Sequence, residues 1–239
     1  IQEVGGKSFM DNKILIGCTN RGGLSGSMYE MDDRVTAYKI SEIVERRLDG
    51  AKMMFRVDLD TPQARYSQKT IQRVANMVRE CDAYGVEAYI EPLPVEQNRD
   101  GYRVKMDYGE LIKTIGIATA VGGSSTNIWL KVPYVDNFEM VARSTANPIL
   151  LLGGASTGKP TDIIENFEKG IGAGPNIKGC MVGRNLLYPG YDDPLAVLKG
   201  VSMIIHEQET AENAVKYVSR HRGEAMDFFQ PLMKKRTDS

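Results

Sequence analysis

Residues 127–132 read Asn-Ile-Trp-Leu-Lys-Val. Side chains alternate across a strand, so Ile128, Leu130 and Val132 share one face while Trp129 and Lys131 share the other. A short run that is apolar on both faces, with one cation near its end, fits a parallel strand covered on each side. Five more segments have this build, at residues 13–20 (KILIGCTN), 52–58 (KMMFRVD), 86–91 (VEAYIE), 148–153 (PILLLG) and 178–184 (KGCMVGR). Between them lie stretches with helical spacing, at 35–48, 63–84, 107–121, 136–144, 162–170 and 194–206. In the second of these, Ile71, Val74, Ala75 and Val78 mark the buried stripe. Strands alternating with helices predict βα units and a parallel sheet.

The six strands begin about 33 residues apart, close to the ~31 per unit of a (β/α)8 barrel of ~250 residues. In an eight-fold barrel they would be strands three to eight, with two N-terminal βα units (about 60 residues) missing from the chain as given. A complete six-stranded, doubly wound open sheet is the other reading, and spacing alone does not choose between them. No low-complexity linker or internal repeat divides the sequence. One domain is therefore expected over residues 1–206, with a helical tail from 207 to 239 packed on it; Ala211, Ala214, Val215 and Val218 give that tail an apolar stripe.

Composition narrows the chemistry. The 239 residues carry 30 Lys and Arg against 31 Asp and Glu, a net charge of −1 without the basic excess of a nucleic-acid binder. The longest apolar runs fall far short of the ~20 residues that cross a bilayer, and residues 1–13 lack the core of a signal peptide. Cys18, Cys81 and Cys180 are too dispersed for a disulfide scaffold or a Cys-based zinc site, and Cys18 and Cys180 read as small packing residues. The two histidines, His206 and His221, both fall in the polar C-terminal stretch. Triad hydrolysis and most catalytic zinc sites need histidine near the reaction centre, so proton transfer is left to carboxylates, Lys or Tyr.

Polar groups cluster where strands end. Lys131 stands near the end of its strand, Tyr89 and Glu91 share a face before Pro92, and Arg56 and Asp58 share a face on the strand before that. A lone strand lysine is commonly solvated or ion-paired; three neighbouring strands with ionisable groups at one end point to a site, because isolated charges in a buried sheet are costly. Desolvation there disfavours an ammonium and leaves an amine able to attack a carbonyl. Glu91 is then the natural proton shuttle, and the two groups suit Schiff-base chemistry. Glycine-rich turns follow the last two strands, Gly153-Gly-Ala-Ser-Thr-Gly158 and Val182-Gly-Arg-Asn185. Loops after barrel strands seven and eight often hold a phosphate, and backbone N–H groups at Gly153, Gly154 and Gly183 with the Arg184 fork suit a dianion. Tight strand-to-helix turns would also use these glycines. Gly153–Pro160 nearly matches a nucleotide phosphate loop, but Pro160 replaces the hydroxyl that would hold Mg²⁺ and the next strand offers no acidic partner. The glycine-rich loop 19–33 adds Arg21 and Ser25 as candidate substrate contacts, with a plain surface loop as the alternative.

Trp129-Leu-Lys-Val-Pro-Tyr134, Pro148-Ile-Leu-Leu-Leu-Gly-Gly154, Met181-Val-Gly-Arg-Asn185 and Asp193-Pro-Leu-Ala-Val-Leu-Lys-Gly-Val201 occur in that order. In this the sequence resembles class I (Schiff-base) aldolases of the bacterial and archaeal (β/α)8 superfamily, the fructose-bisphosphate aldolases of that branch above all. Tyr89-Ile-Glu-Pro92 is similar to a motif of tagatose-bisphosphate and sulfofructose-phosphate aldolases. The resemblance covers most of residues 13–215. It implies that Lys131 forms the imine with a ketose carbonyl, that Glu91 moves protons during carbon–carbon cleavage, and that Gly154 and Arg184 hold phosphate. Arg56 or Asp58 would meet substrate hydroxyls. The acidic residue of those aldolases' first strand has no counterpart before Lys13. The implied activity is cleavage of a phosphorylated keto-sugar or keto-sugar acid to dihydroxyacetone phosphate and an aldehyde. No metal or cofactor is expected, nor a nucleic-acid or membrane partner; the protein would be a cytoplasmic homo-oligomer of carbohydrate metabolism. Schiff-base acyl transfer on the same scaffold and a non-catalytic phosphate-binding barrel are the alternatives.

Overall fold

The computed structural model describes residues 13–20, 33–58, 60–61, 64–99 and 101–223, which form two compact units. The first contains the described residues up to Leu130 together with Ser144–Pro148; the second contains Lys131–Arg143 and the described residues from Ile149. No helix among the described residues is long and apolar enough to cross a membrane.

In the first unit, strands β1 (Ile16–Cys18), β2 (Gly50–Val57) and β3 (Glu87–Asn98) run parallel, and β5 (Ile128–Val132) pairs with β3 in parallel through Leu130. Helices α1 (Ile40–Glu45), α2 (Ala64–Tyr84) and α3 (Tyr108–Ala120) alternate with them. One face of this sheet is fully apolar: Ala51, Met53, Phe55 and Val57 of β2, Ala88 and Ile90 of β3, and Ile128 and Leu130 of β5 are buried. The stripe of α2 that meets β2 is Val74, Met77, Val78 and Cys81, one turn apart from each other as a 3.6-residue period requires. Asp107 caps α3 by accepting from the Glu110 N–H at 2.9 Å, which starts that helix where the sequence places it.

The second unit carries the end of β5, then α4 (Phe138–Arg143), β6 (Ile149–Leu152), α5 (Pro160–Ile171), β7 (Ile177–Met181), α6 (Arg184–Leu187), α7 (Pro194–Glu207) and α8 (Ala211–Arg220). β6 and β7 are parallel neighbours. Pro160 and Pro194 each open a helix, where proline's fixed φ fits and its missing N–H costs nothing. Pro160 thus marks a helix start. The tail helix α8 packs on α5 and α7 within this unit through Ala211, Ala214 and Val218; residues 224–239 lie outside the described residues.

All six expected strands are present. Two elements differ from expectation. β3 does not stop at Glu91: it continues through Pro92 and Pro94 to Asn98 and returns as the antiparallel strand β4 (Gly101–Val104). The prolines are accommodated because the β2 pairing ends at Pro94 while the β4 pairing starts only at Val95. The other addition is the four-residue helix α6, whose Leu186 and Leu187 N–H groups both bond to the Gly183 carbonyl.

Candidate active site

The second face of the first unit's sheet is where polarity collects. Register places Lys52 opposite Tyr89, Met54 opposite Glu91 and Tyr89 opposite Trp129, so these residues share one side of the sheet. Lys52, which the sequence reading passed over as the flank of a strand, forms an ion pair with Glu91. The two side chains are only 14% and 11% exposed, so the pair sits largely out of water, where an ion pair offsets part of the cost of burying charge. Glu91 consequently sits in mid-strand, not at a strand end as the Pro92 boundary suggested. Below it, Tyr89 stacks on Trp129 with ring centroids 5.7 Å apart, and the Trp129 indole N–H donates to Glu87 Oε2 at 3.1 Å. Burial and the nearby Glu87 raise the Tyr89 hydroxyl above its ordinary range. A β-carbon at Gly50 would stand 2.5 Å from the Tyr89 ring, so glycine makes the space this stack occupies.

Arg56 and Asp58 are positioned differently from the substrate contacts expected of them. Arg56 is 8% exposed, and its guanidinium is taken up by Asp33: Nε and Nη2 donate to Oδ1 at 2.9 and 2.7 Å, while the Arg56 backbone N–H donates to Oδ2 at 2.8 Å. Burial pushes the Asp33 carboxyl above its ordinary value, only partly offset by Arg56. Asp58 is 1% exposed and organises its own turn, accepting from the Asp60 N–H at 3.1 Å and the Thr61 hydroxyl at 2.6 Å. At the other end of the 19–33 loop, the Asn20 side chain imitates a strand rung: Nδ2 donates to the Met54 carbonyl at 2.9 Å and Oδ1 accepts from the Met54 N–H at 2.8 Å. Both ends of that loop are therefore anchored on β2. Arg21 and Ser25 lie outside the described residues.

In the second unit, Lys131 occupies β5 between the buried Leu130 and Val132, itself half-buried. The loops after β6 and β7 are stitched together. Asn185 Nδ2 donates to the Gly153 carbonyl at 2.5 Å, and Ser156 Oγ donates to the Tyr188 carbonyl at 2.6 Å. Gly190 lies so close to the Gly158 carbonyl that a β-carbon would be 2.3 Å from it. Gly154 and Gly158 adopt φ of +67° and +71°, a region where glycine carries no steric penalty. Gly153, Gly154, Gly183 and Arg184 are thus brought to one pair of neighbouring loops, with Gly183 and Arg184 exposed. The far end of the first loop, Ser156–Gly158, lines an open groove of about 770 Å³ with Tyr188, Tyr191 and Arg222.

Asn185 and Asp33 are the other residues that sequence reasoning did not assign a role. Asn185 stood in a quoted motif without a function, and Asp33 ended a loop read either as a substrate contact through Arg21 and Ser25 or as plain surface.

Comparison with known proteins adds relatives. A family profile described as Cgl0159-like matches residues 5–202. The crystal structure of Cgl0159 from Corynebacterium glutamicum superposes with a TM-score of 0.75 at 32% identity, over 82% of this chain and 65% of that one. An archaeal fructose 1,6-bisphosphate aldolase superposes with a TM-score of 0.56 at 17% identity, over 71% of this chain and 63% of that one, a likeness of fold. Among curated proteins, a 2-amino-3,7-dideoxy-D-threo-hept-6-ulosonate synthase of Archaeoglobus fulgidus is 27% identical over 147 residues, or 62% of this chain. A 3-hydroxy-5-phosphonooxypentane-2,4-dione thiolase of Yersinia enterocolitica is 31% identical over 108 residues, or 45% of this chain. The chain spans 51% and 35% of those two proteins' lengths.

Proposed function

We propose, for a chain that belongs to the Cgl0159-like family within the class I aldolase-like superfamily, that it is a class I aldolase of (β/α)8 type acting on a phosphorylated keto-sugar or keto-sugar acid. The observation that carries this reading is the Lys52–Glu91 ion pair, held on the polar side of a parallel sheet whose other side is entirely apolar. A carboxylate kept there beside an ammonium is a ready acid–base couple, and it has no evident structural reason to be buried.

In the mechanism proposed, the Lys131 amine attacks the ketose carbonyl and loss of water gives an iminium. The iminium draws the electron pair of the breaking carbon–carbon bond into an enamine. Glu91 accepts the proton of the hydroxyl that becomes the aldehyde, and the ion pair with Lys52 holds its carboxylate in place for that step. The enamine is then protonated and the iminium hydrolysed, which releases dihydroxyacetone phosphate and restores the amine. Gly153, Gly154, Gly183 and Arg184 would hold the phosphate, which fits the way the two loops are joined. Tyr89 forms the floor beneath Glu91, and Arg56 and Asp58 support the loop and the turn at the end of β2. None of these steps draws on a metal or cofactor.

Sodium borohydride reduction in the presence of dihydroxyacetone phosphate tests the reading, with the product examined by peptide mass spectrometry. A covalent adduct on Lys131 is expected; its absence across a broad panel of ketose phosphates sinks the proposal. The similarity to a thiolase that acts on a phosphorylated dione supports a second reading, acyl transfer through the same imine. Acyl-group capture from a phosphorylated diketone, without aldol cleavage, would decide for it.

A further inference from the structure

We propose that Asn185 is a positioning residue that aims the Gly154 N–H at the substrate's phosphate, an inference that rests on the phosphate-loop reading above. Asn185 is 4% exposed and donates its side-chain amide to the Gly153 carbonyl. That carbonyl and the Gly154 N–H belong to one planar peptide, and no described residue follows a cis bond. In a trans peptide the two groups point in opposite directions, so holding the carbonyl toward Asn185 turns the N–H away from it. Among the described residues no group accepts from the Gly154 N–H. A Gly-Gly peptide has little intrinsic preference for one orientation, and the φ of +67° at Gly154 is one of several that glycine tolerates. The buried amide removes that freedom.

The packing agrees with this division of labour. A β-carbon at residue 153 would lie 3.0 Å from Asn185 Nδ2 and 2.4 Å from Val182 Cγ2, so glycine is what lets the amide close on the carbonyl. Arg184, which precedes Asn185 in the chain, is exposed and supplies charge. Asn185 supplies none; it orients a dipole, and its loss should weaken phosphate binding while leaving imine chemistry intact.

The test uses the full chain and inorganic phosphate, followed by calorimetry and by the ¹⁵N amide resonance of Gly154. In the unaltered protein phosphate should shift that resonance. Asn185→Asp keeps the volume but sets an oxygen against the Gly153 carbonyl. In that variant the Gly154 shift should vanish and phosphate Kd should rise about tenfold, the effect of one mis-set donor to a charged ligand. Borohydride trapping of unphosphorylated dihydroxyacetone on Lys131 should be unchanged. A folded Asn185→Asp variant that binds phosphate as tightly as the parent overturns the inference alone. So does an unaltered protein whose Arg184 amide responds to phosphate while that of Gly154 does not, and this measurement decides the matter should the variant fail to fold. Failure of the unaltered protein to bind phosphate overturns the phosphate-loop reading and the inference together.

Discussion

Replacing Lys52 by Met would remove one ion pair from Glu91 while leaving the carboxylate on a largely buried face. Loss of that ion pair on a largely buried carboxylate should lower the urea midpoint measured near neutral pH, by about 1–3 kcal/mol of stability. The double variant Lys52→Met, Glu91→Leu should recover most of the loss, because an apolar pair of similar volume has no desolvation cost. Under the proposed mechanism the two residues separate: Glu91→Gln should lower kcat by about 10²-fold or more while the Lys131 adduct still forms, since it would remove the proton shuttle and not the nucleophile. Asp33 sets a pH dependence of opposite sign to that of an ordinary salt-bridged carboxylate. Its folded-state value is raised, so the folded chain holds the proton more tightly than the unfolded one. Its contribution to stability is fully present below the reference value of 3.8 and is lost as pH rises through the folded value. Urea midpoints at pH 7 and at pH 3.5 should therefore show the parent gaining on Asp33→Asn as the solution is acidified.

Elements were legible where burial dictates pattern. All six parallel strands announce themselves because a strand covered on both sides has to be apolar, and the caps at Asp107 and Asp193 mark their helices equally plainly. The β3–β4 hairpin escaped notice because Pro92 and Pro94 mimic a strand end, and only pairing shows that neither is needed as a donor where it lies. Lys52 escaped for a related reason. A lysine at a strand's start is ordinarily a solvated flank, and it takes the register with Tyr89 to show which face it lies on. The pair Arg56–Asp33 spans 23 residues of sequence, which no local pattern encodes. At this scale Gly50→Ala is the informative change. Its β-carbon would press on the Tyr89 ring, and a cost of about 1–3 kcal/mol in thermal or urea unfolding is expected, relieved in combination with Tyr89→Leu.

For the molecule as a whole, the sequence conveyed a parallel α/β fold and its relatives, whereas the internal bonds of two expected sugar contacts were not legible in it. Arg56 and Asp58 are held by the protein's own groups. The buried Cys81 thiol, pushed up to about 12 by its apolar surroundings, gives a probe of global opening. Iodoacetamide at pH 8 should leave it unmodified in the native protein and label it at the rate at which the first unit unfolds, as read by mass spectrometry over a urea series.

The anchoring of both ends of the 19–33 loop on β2, by the Asn20 amide and by Asp33, bears on how such a protein can change. Ties at fixed points make the span between them a cassette. Lengthening a closed loop is thermodynamically mild, with each doubling costing only about 0.6 kcal/mol. New side chains can thus be tried between residues 21 and 32 without renegotiating the sheet. Such a span can be exchanged between relatives while the strand that carries both ties stays as inherited.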